Sequence, residues 1–478
     1  MKSLAKNSLY NIIYKCSSLV FPLVTAAYIS RILLAEGVGK VNSANNIVQY
    51  FVILAALGLP TYGTKVIAAK SKEKKELNKA FSELFLINAI SSIVCTLCYY
   101  IMIFNVSYFR DRIQLFIIMG LLIPLNIINV DWFYQGQEEY RYIMIRSIIV
   151  KFIAFILTFL LIHKQEDYVM YAALLVFSNA ANYIFNIFNI RHYIDFTIKD
   201  ISLIKHLKSI VVLLSASIAI EIYTLADTTM LTFMSGEEAV GFYTNGMTII
   251  RIVRNLVTAI SAVYLPRLSF YYSSGKYKDF TELIQKGIKI LLLTSVPAAT
   301  GIVLVAPDFV PLYFGSAFSK SAVTASILAI SIITVAISNF TGYQILVTIG
   351  KEKVMFYSTI IGAVANVLLN YFLIMNYSFN GAAIASVITE FGIMIFQVCA
   401  VIHYVKFKIE KRYLKSICFS IIGMILVVIF IKSWVTNCFV RLTMSVFFGA
   451  TAYVILLILT KNEYALLAIN MIRKRKIK

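Results

Sequence analysis

Ionisable side chains interrupt stretches of this chain that are otherwise apolar enough for a membrane interior, and their spacing suggests chemistry. In TNGMTIIRIVRNLVTAI, Arg251 and Arg254 stand one turn apart, on a face that also carries Thr244, Thr248, Asn255 and Thr258. Residues three or four apart share one side of a helix. A guanidinium stays charged and grips oxyanions through paired hydrogen bonds, so this face is suited to phosphate. Lys151, between Ser147 and Thr158, and Lys15, in the stripe Ser8, Asn11, Lys15, Ser18, Pro22 and Thr25, extend the cationic set. Acids occur too: Glu221 in line with Ser217, Thr224 and Thr228, Asp227 beside them, and Glu390 with Ser386 and Gln397. Such carboxyls suit proton or sodium coupling if their affinity differs between two states.

Uncharged polar residues recur at the same spacing. Asn42, Asn46 and Gln49 form one row, Asn366 and Asn370 a second, and Asn339 and Gln344 a third. Amides can bond sugar hydroxyls, but they also knit membrane helices together, and for Asn, Ser and Thr the two readings stand level. Charges are different. A central Arg or Asp costs at least ~2.5 kcal/mol on insertion scales, which favours a hydrated cavity or a partner.

The elements that must carry these residues follow from composition. Of 478 residues, 60% are apolar and 14% charged, too greasy for a soluble domain. A spanning helix needs about 20 apolar residues, and the apolar stretches predict spans at 8–30, 42–64, 81–104, 113–131, 143–162, 168–190, 209–232, 242–265, 284–306, 321–345, 354–375, 380–404, 415–432 and 442–460. The expected fold is an all-α polytopic membrane protein of about 14 transmembrane helices. With both termini in the cytoplasm, most of the 44 Lys and Arg residues fall inside, so the +21 net charge reads as a positive-inside signature and not as nucleic-acid binding. The first span is too long for a signal peptide and is expected to be retained.

A shift of 202 sets Glu36-Gly37-Val38-Gly39 on Glu238-Ala239-Val240-Gly241, and Asn42, Asn46 and Gln49 on Thr244, Thr248 and Arg251. Parallel repeats of this kind are a transporter architecture. They predict a six-helix lobe at 1–208, a second at 209–410, and two additional helices with a basic tail at 411–478.

An enzyme of lipid-linked glycan assembly is the alternative of a different class. His163, His192, His206 and His403 are scattered without partners at useful spacing, and no long outside loop offers an extramembrane pocket. Cys95 and Cys98 lie in an apolar span with no second pair, so packing explains them better than a metal. No nucleotide-binding loop appears.

The stretches FPLVTAAYISRILLAEGVGKVNSANNIVQYF, LGLPTYGTK, DWFYQGQEEYRY and LADTTMLTFMSGEEAVGFYTN resemble the bacterial Wzx-type flippases for O-antigen or capsule repeat units. These form the polysaccharide-transport branch of the multidrug/oligosaccharidyl-lipid/polysaccharide exporter superfamily. The resemblance runs along nearly the whole chain and fades after about residue 405. Leu34-Ala35 departs from it, since relatives commonly have Gly-Pro there. It implies a two-lobed bundle in the bacterial cytoplasmic membrane that passes an undecaprenyl-diphosphate-linked oligosaccharide from the inner to the outer leaflet by alternating access. On that implication Arg251, Arg254, Lys151 and Lys15 hold the diphosphate, while Asn42, Asn46, Gln49, Asn255 and Asn366 bond sugars. Asp227, Glu221 and Glu390 would couple transport to a proton or sodium gradient. No cofactor or metal is expected. Besides the lipid-linked cargo and the bilayer, a polysaccharide polymerase complex is the expected partner. A drug exporter of the same superfamily is the nearer rival, although it would favour an acid-lined cavity over paired arginines.

Overall fold

A computed structural model of the chain describes residues 4–197, 199, 201–407 and 410–467, without the side chains of 4, 5, 8, 212, 213 and 215–223. Among the described residues every regular element is helical. The chain forms two compact units, Met1–Gly241 and Phe242–Lys478. The first contains α1 (Leu4–Ala56), α2 (Leu59–Lys70), α3 (Lys74–Asn105), α4 (Ser107–Arg110), α5 (Ile113–Gly120), α6 (Leu122–Leu125), α7 (Asp131–Gly136), α8 (Tyr140–Leu161), α9 (Tyr168–Ile190) and α10 (Ile204–Met234). Then come α11 (Glu237–Ala262), whose first turn belongs to the first unit, α12 (Leu265–Ser273), α13 (Tyr277–Phe314), α14 (Ser321–Asn339), α15 (Glu352–Tyr404), α16 (Lys411–Trp434) and α17 (Cys438–Leu459).

Ten described helical stretches are long and apolar enough to cross a membrane. Two expected loops prove to be bends inside continuous helices. Leu34 (φ 54°, ψ −174°) divides α1, and Ser378 (φ 50°, ψ −131°) divides α15. The span expected at 113–131 is instead broken into α5, α6 and a 3₁₀ turn, Asn126–Ile128. Proline at position 124 of α6 removes a backbone donor there. At the end of α5, a Cβ on Gly120 would sit 2.4 Å from the Tyr99 ring, whose hydroxyl donates to the Phe116 carbonyl at 2.8 Å.

Lipid offers helices little hydrophobic reason to associate, so close packing and polar links must hold them. In the first unit, Tyr99, Phe116 and Met119 pack with Val41, Ile47 and Val48 of α1. A second cluster sets Trp132 and Phe133 of α7 against Leu59, Phe81 and Ile143. The DWFYQG segment is therefore a plug among α2, α3 and α8. In the second unit, α16 and α17 pair with each other and pack on α13. Asp308 of α13 is gripped by Arg441 (2.5 Å) and Lys432 (3.1 Å), while Lys289, 19 residues earlier, reaches Glu463 (2.6 Å) and Glu410 (3.2 Å). These clamps lie roughly 28 Å apart along the helix.

The duplicated motif has a structural counterpart. A Cβ on Gly39 would fall 1.6 Å from the Glu237 carbonyl oxygen, and one on Gly241 would fall 2.0 Å from that of Ala35. Both pairs obey the 202-residue offset, so the two copies touch reciprocally, as self-complementary surfaces do. The Ala35 carbonyl, next to Leu34, lies against the paired glycine. The contact boundary at Gly241 falls one helix after the sequence boundary at 208, because α10 packs on α1.

Candidate functional site

Polar side chains converge in separate places within each unit. In the first, Asn46 is buried against α10 and its amide donates to the Leu225 carbonyl (3.2 Å) and Thr229 Oγ1 (2.6 Å). The Tyr50 hydroxyl lies 2.9 Å from the same threonine. Asp227, 7% exposed, sits in this patch, close enough to act electrostatically on Tyr50. Asn42 and Gln49 are partly buried, with Gln49 donating weakly to Asn45 (3.4 Å). Asn46 is thus occupied by helix packing, and the sugar contact expected of it is not free. The side chain of Glu221 lies outside the described residues. Lys151 of α8 donates to the Ser18 hydroxyl of α1 and stands 5.2 Å from the Tyr14 ring centroid. Lys15 is exposed on α1.

In the second unit, Arg251 and Asn255 are exposed on α11, and Arg251 makes no ion pair among the described residues. Arg254 is half-buried: its Nε donates to Ser331 Oγ of α14 at 3.0 Å, and its buried Nη2 has no partner. The two guanidinium groups share a helix but not an environment. Asn366 has no exposed surface; it accepts from Asn370 at 3.0 Å, which makes it a packing residue here and not an open sugar contact. Glu390 is partly buried on α15. Thr248 and Thr258 donate to the carbonyls of Thr244 and Arg254. Threonine hydroxyls on a helix commonly satisfy themselves this way, so they add little to a polar stripe.

A larger polar centre escaped the sequence reading. Arg146 of α8 is 5% exposed; its Nη2 donates to Asp131 Oδ1 of α7 at 2.9 Å and its Nε to Asn182 Oδ1 of α9 at 3.2 Å. Asn186 donates to the same Asp131 oxygen at 2.6 Å. The signal was available, because the span read at 143–162 already contains Arg146, and Asp131 opens the quoted DWFYQG segment. His206 also has partners: Glu83 Oε2 at 3.0 Å and the Tyr62 hydroxyl at 2.8 Å, with Lys205 pairing the same buried glutamate at 2.7 Å. That cluster ties the start of α10 to α2 and α3.

A family model described as "Polysaccharide biosynthesis protein" matches residues 4–271, more than half of the chain. The chain belongs to this polysaccharide biosynthesis family. A second model, MatE, matches residues 213–372. Among curated relatives of this family member is a putative O-antigen transporter of Shigella dysenteriae. It is 25% identical over 409 residues, 83% of this chain and 99% of that protein. The capsular polysaccharide biosynthesis protein CapF of Staphylococcus aureus is 23% identical over 403 residues, 82% of this chain and 98% of its own length. Among solved structures, the inward closed conformation of the lipid II flippase MurJ superposes with a TM-score of 0.74 at 14% identity, covering 95% of this chain and 98% of that one. At that identity the likeness speaks for the fold: the polysaccharide biosynthesis family member has a MurJ-like architecture.

Proposed function

We propose that the protein is a flippase for lipid-linked oligosaccharides, moving undecaprenyl-diphosphate-linked repeat units from the inner to the outer leaflet of the bacterial cytoplasmic membrane for O-antigen or capsule. The observation that carries this reading is Arg251, an exposed guanidinium without an acidic partner among the described residues, inside a helix apolar enough to cross a membrane. A charge so placed needs a counter-ion, and a diphosphate is a suitable one. Similarity to a putative O-antigen transporter, over 83% of this chain and 99% of that protein, supports a role in O-antigen transport.

In this reading both termini are cytoplasmic and diphosphate meets Arg251 and Arg254, with Lys151 and Lys15 adding positive charge. Arg254 reaches the phosphate by exchanging its Ser331 bond, since its Nη2 is unused. Asn42, Gln49 and Asn255 are the amides assigned to sugar hydroxyls. Outward movement of an anion across an inside-negative membrane gains about 2.3 kcal/mol per charge per 100 mV. Asp227, Glu221 and Glu390 are assigned to ion coupling, so Asp227→Asn should change the pH or sodium dependence of transport in vesicles.

The deciding experiment is complementation of cells that lack a defined repeat-unit flippase. The wild-type chain should restore surface polysaccharide, and Arg251→Ala with Arg254→Ala should abolish rescue while membrane levels of the protein hold. Normal rescue by the double variant would remove both arginines from the transport path.

A further inference from the structure

The Asp131–Arg146 pair has a geometry that salt bridging alone leaves unfinished. Arg146 is almost fully buried, yet it uses only Nη2 and Nε; its Nη1 is buried without a partner. A guanidinium's preferred oxyanion contact is two-pronged, whereas here one carboxylate oxygen accepts from Nη2 and also from Asn186. The Asp131 side chain is 23% exposed, so the pair meets the surface through its acid and not its base. A second cation is close by on the same helix: Lys151 stands against Tyr14, and Tyr14 lies within electrostatic reach of both Asp131 and Arg146.

We propose that Arg146 is a further phosphate-binding residue, and that the Asp131 carboxylate holds its guanidinium in place of a cargo phosphate whenever cargo is absent. Exchange needs a turn of the Asp131 side chain that also gives up its Asn186 bond, because Arg146 is fixed by Asn182 and by its stacking 5.3 Å from the Tyr142 ring centroid. A phosphate taking the carboxylate's place could use Nη1 and Nη2 together. The displaced acid becomes exposed. This proposal rests on the reading of the cargo as a diphosphate, and it adds a residue in the first unit to those assigned on α11.

Binding tests it without transport. Purified full-length protein is titrated with inorganic pyrophosphate and separately with farnesyl diphosphate, and ligand-induced thermal stabilisation is read. Asp131→Asn, which removes the competing charge, should bind both about tenfold more tightly than wild type, equivalent to about 1.4 kcal/mol. The double variant Asp131→Asn/Arg146→Gln, neutral as a pair, should lose that gain. If Asp131→Asn cannot be recovered folded, Asn186→Ala, which removes only the amide steadying the carboxylate, should shift binding the same way by less. Unchanged affinity in the single variants, or a gain that persists in the double variant, overturns the proposal. A gain for pyrophosphate but not for farnesyl diphosphate marks a site for free phosphate and overturns its link to lipid cargo. Failed complementation by the wild-type chain, with this binding intact, would instead count against the flippase reading.

Discussion

Arg146 on α8 and Arg251 on α11 both lie within helices apolar enough to cross a membrane, yet the fold treats them in opposite ways. Arg146 is enclosed by an acid and two amides drawn from α7 and α9, whereas Arg251 is left exposed. Arg254 falls between them, half-buried with a serine as its partner. What separates the three is the neighbour, not the arginine. A buried guanidinium is tolerated where a carboxylate has been brought beside it, and an exposed one persists where something outside the described contacts must answer its charge.

The largest expected effect tests the enclosed pair. Removing one member of a buried ion pair strands the other, at about 3–5 kcal/mol, so Asp131→Ala should sharply lower the thermal stability of the purified protein. Arg146→Ala should lower it less, since the carboxylate left behind is partly exposed. Arg251→Ala should leave the melting temperature unchanged while transport is lost. A stability loss at Arg251 as large as that at Asp131 would erase the distinction. Ser331→Ala should register only weakly, because membrane hydrogen bonds average about 0.6 kcal/mol.

The reciprocal glycine contact gives an intermediate effect. Gly39→Ala and Gly241→Ala each drive a methyl into a backbone carbonyl, which cannot swing aside as a side chain can. Overpacking of this kind costs about 1–3 kcal/mol. Since both substitutions open the same contact, the double variant should be less destabilised than the sum of the singles. Full additivity, read by thermal unfolding, would mean that the two sites are independent and that the repeat has no shared seam.

Much of this architecture was legible because a membrane imposes length and apolarity on each span. The helical class and the repeat at Glu36–Gly39 follow from hydropathy and a simple offset, and hydropathy also marks the breaks near residues 34 and 378, although as loops and not as bends within continuous helices. The site was legible only in part. Periodicity locates a polar face but cannot say what it meets: Asn46 and Asn366 share the spacing expected of sugar contacts, yet here each is buried and hydrogen-bonded to other side chains. Arg146 was hidden for a different reason: near a span's end a basic residue reads as a topology signal, and its acid, 15 residues earlier, sits on a short helix without periodicity of its own.

A further small effect concerns the bends themselves, one in each unit. Leu34 and Ser378 both occupy positive φ with an extended ψ, a region nearly confined to glycine that costs of order 1–3 kcal/mol for other residues. Leu34→Gly should relieve that strain but enlarges the entropy of the unfolded chain, an offset of about 0.5–1 kcal/mol. The net gain is therefore about 1 kcal/mol, visible as a melting temperature raised by a few degrees. Ser378→Gly should gain similarly by the same argument. If Leu34→Gly lowers stability while Ser378→Gly raises it, the Leu34 side chain is holding the first bend by its packing, and the two bends are alike only in their dihedral angles.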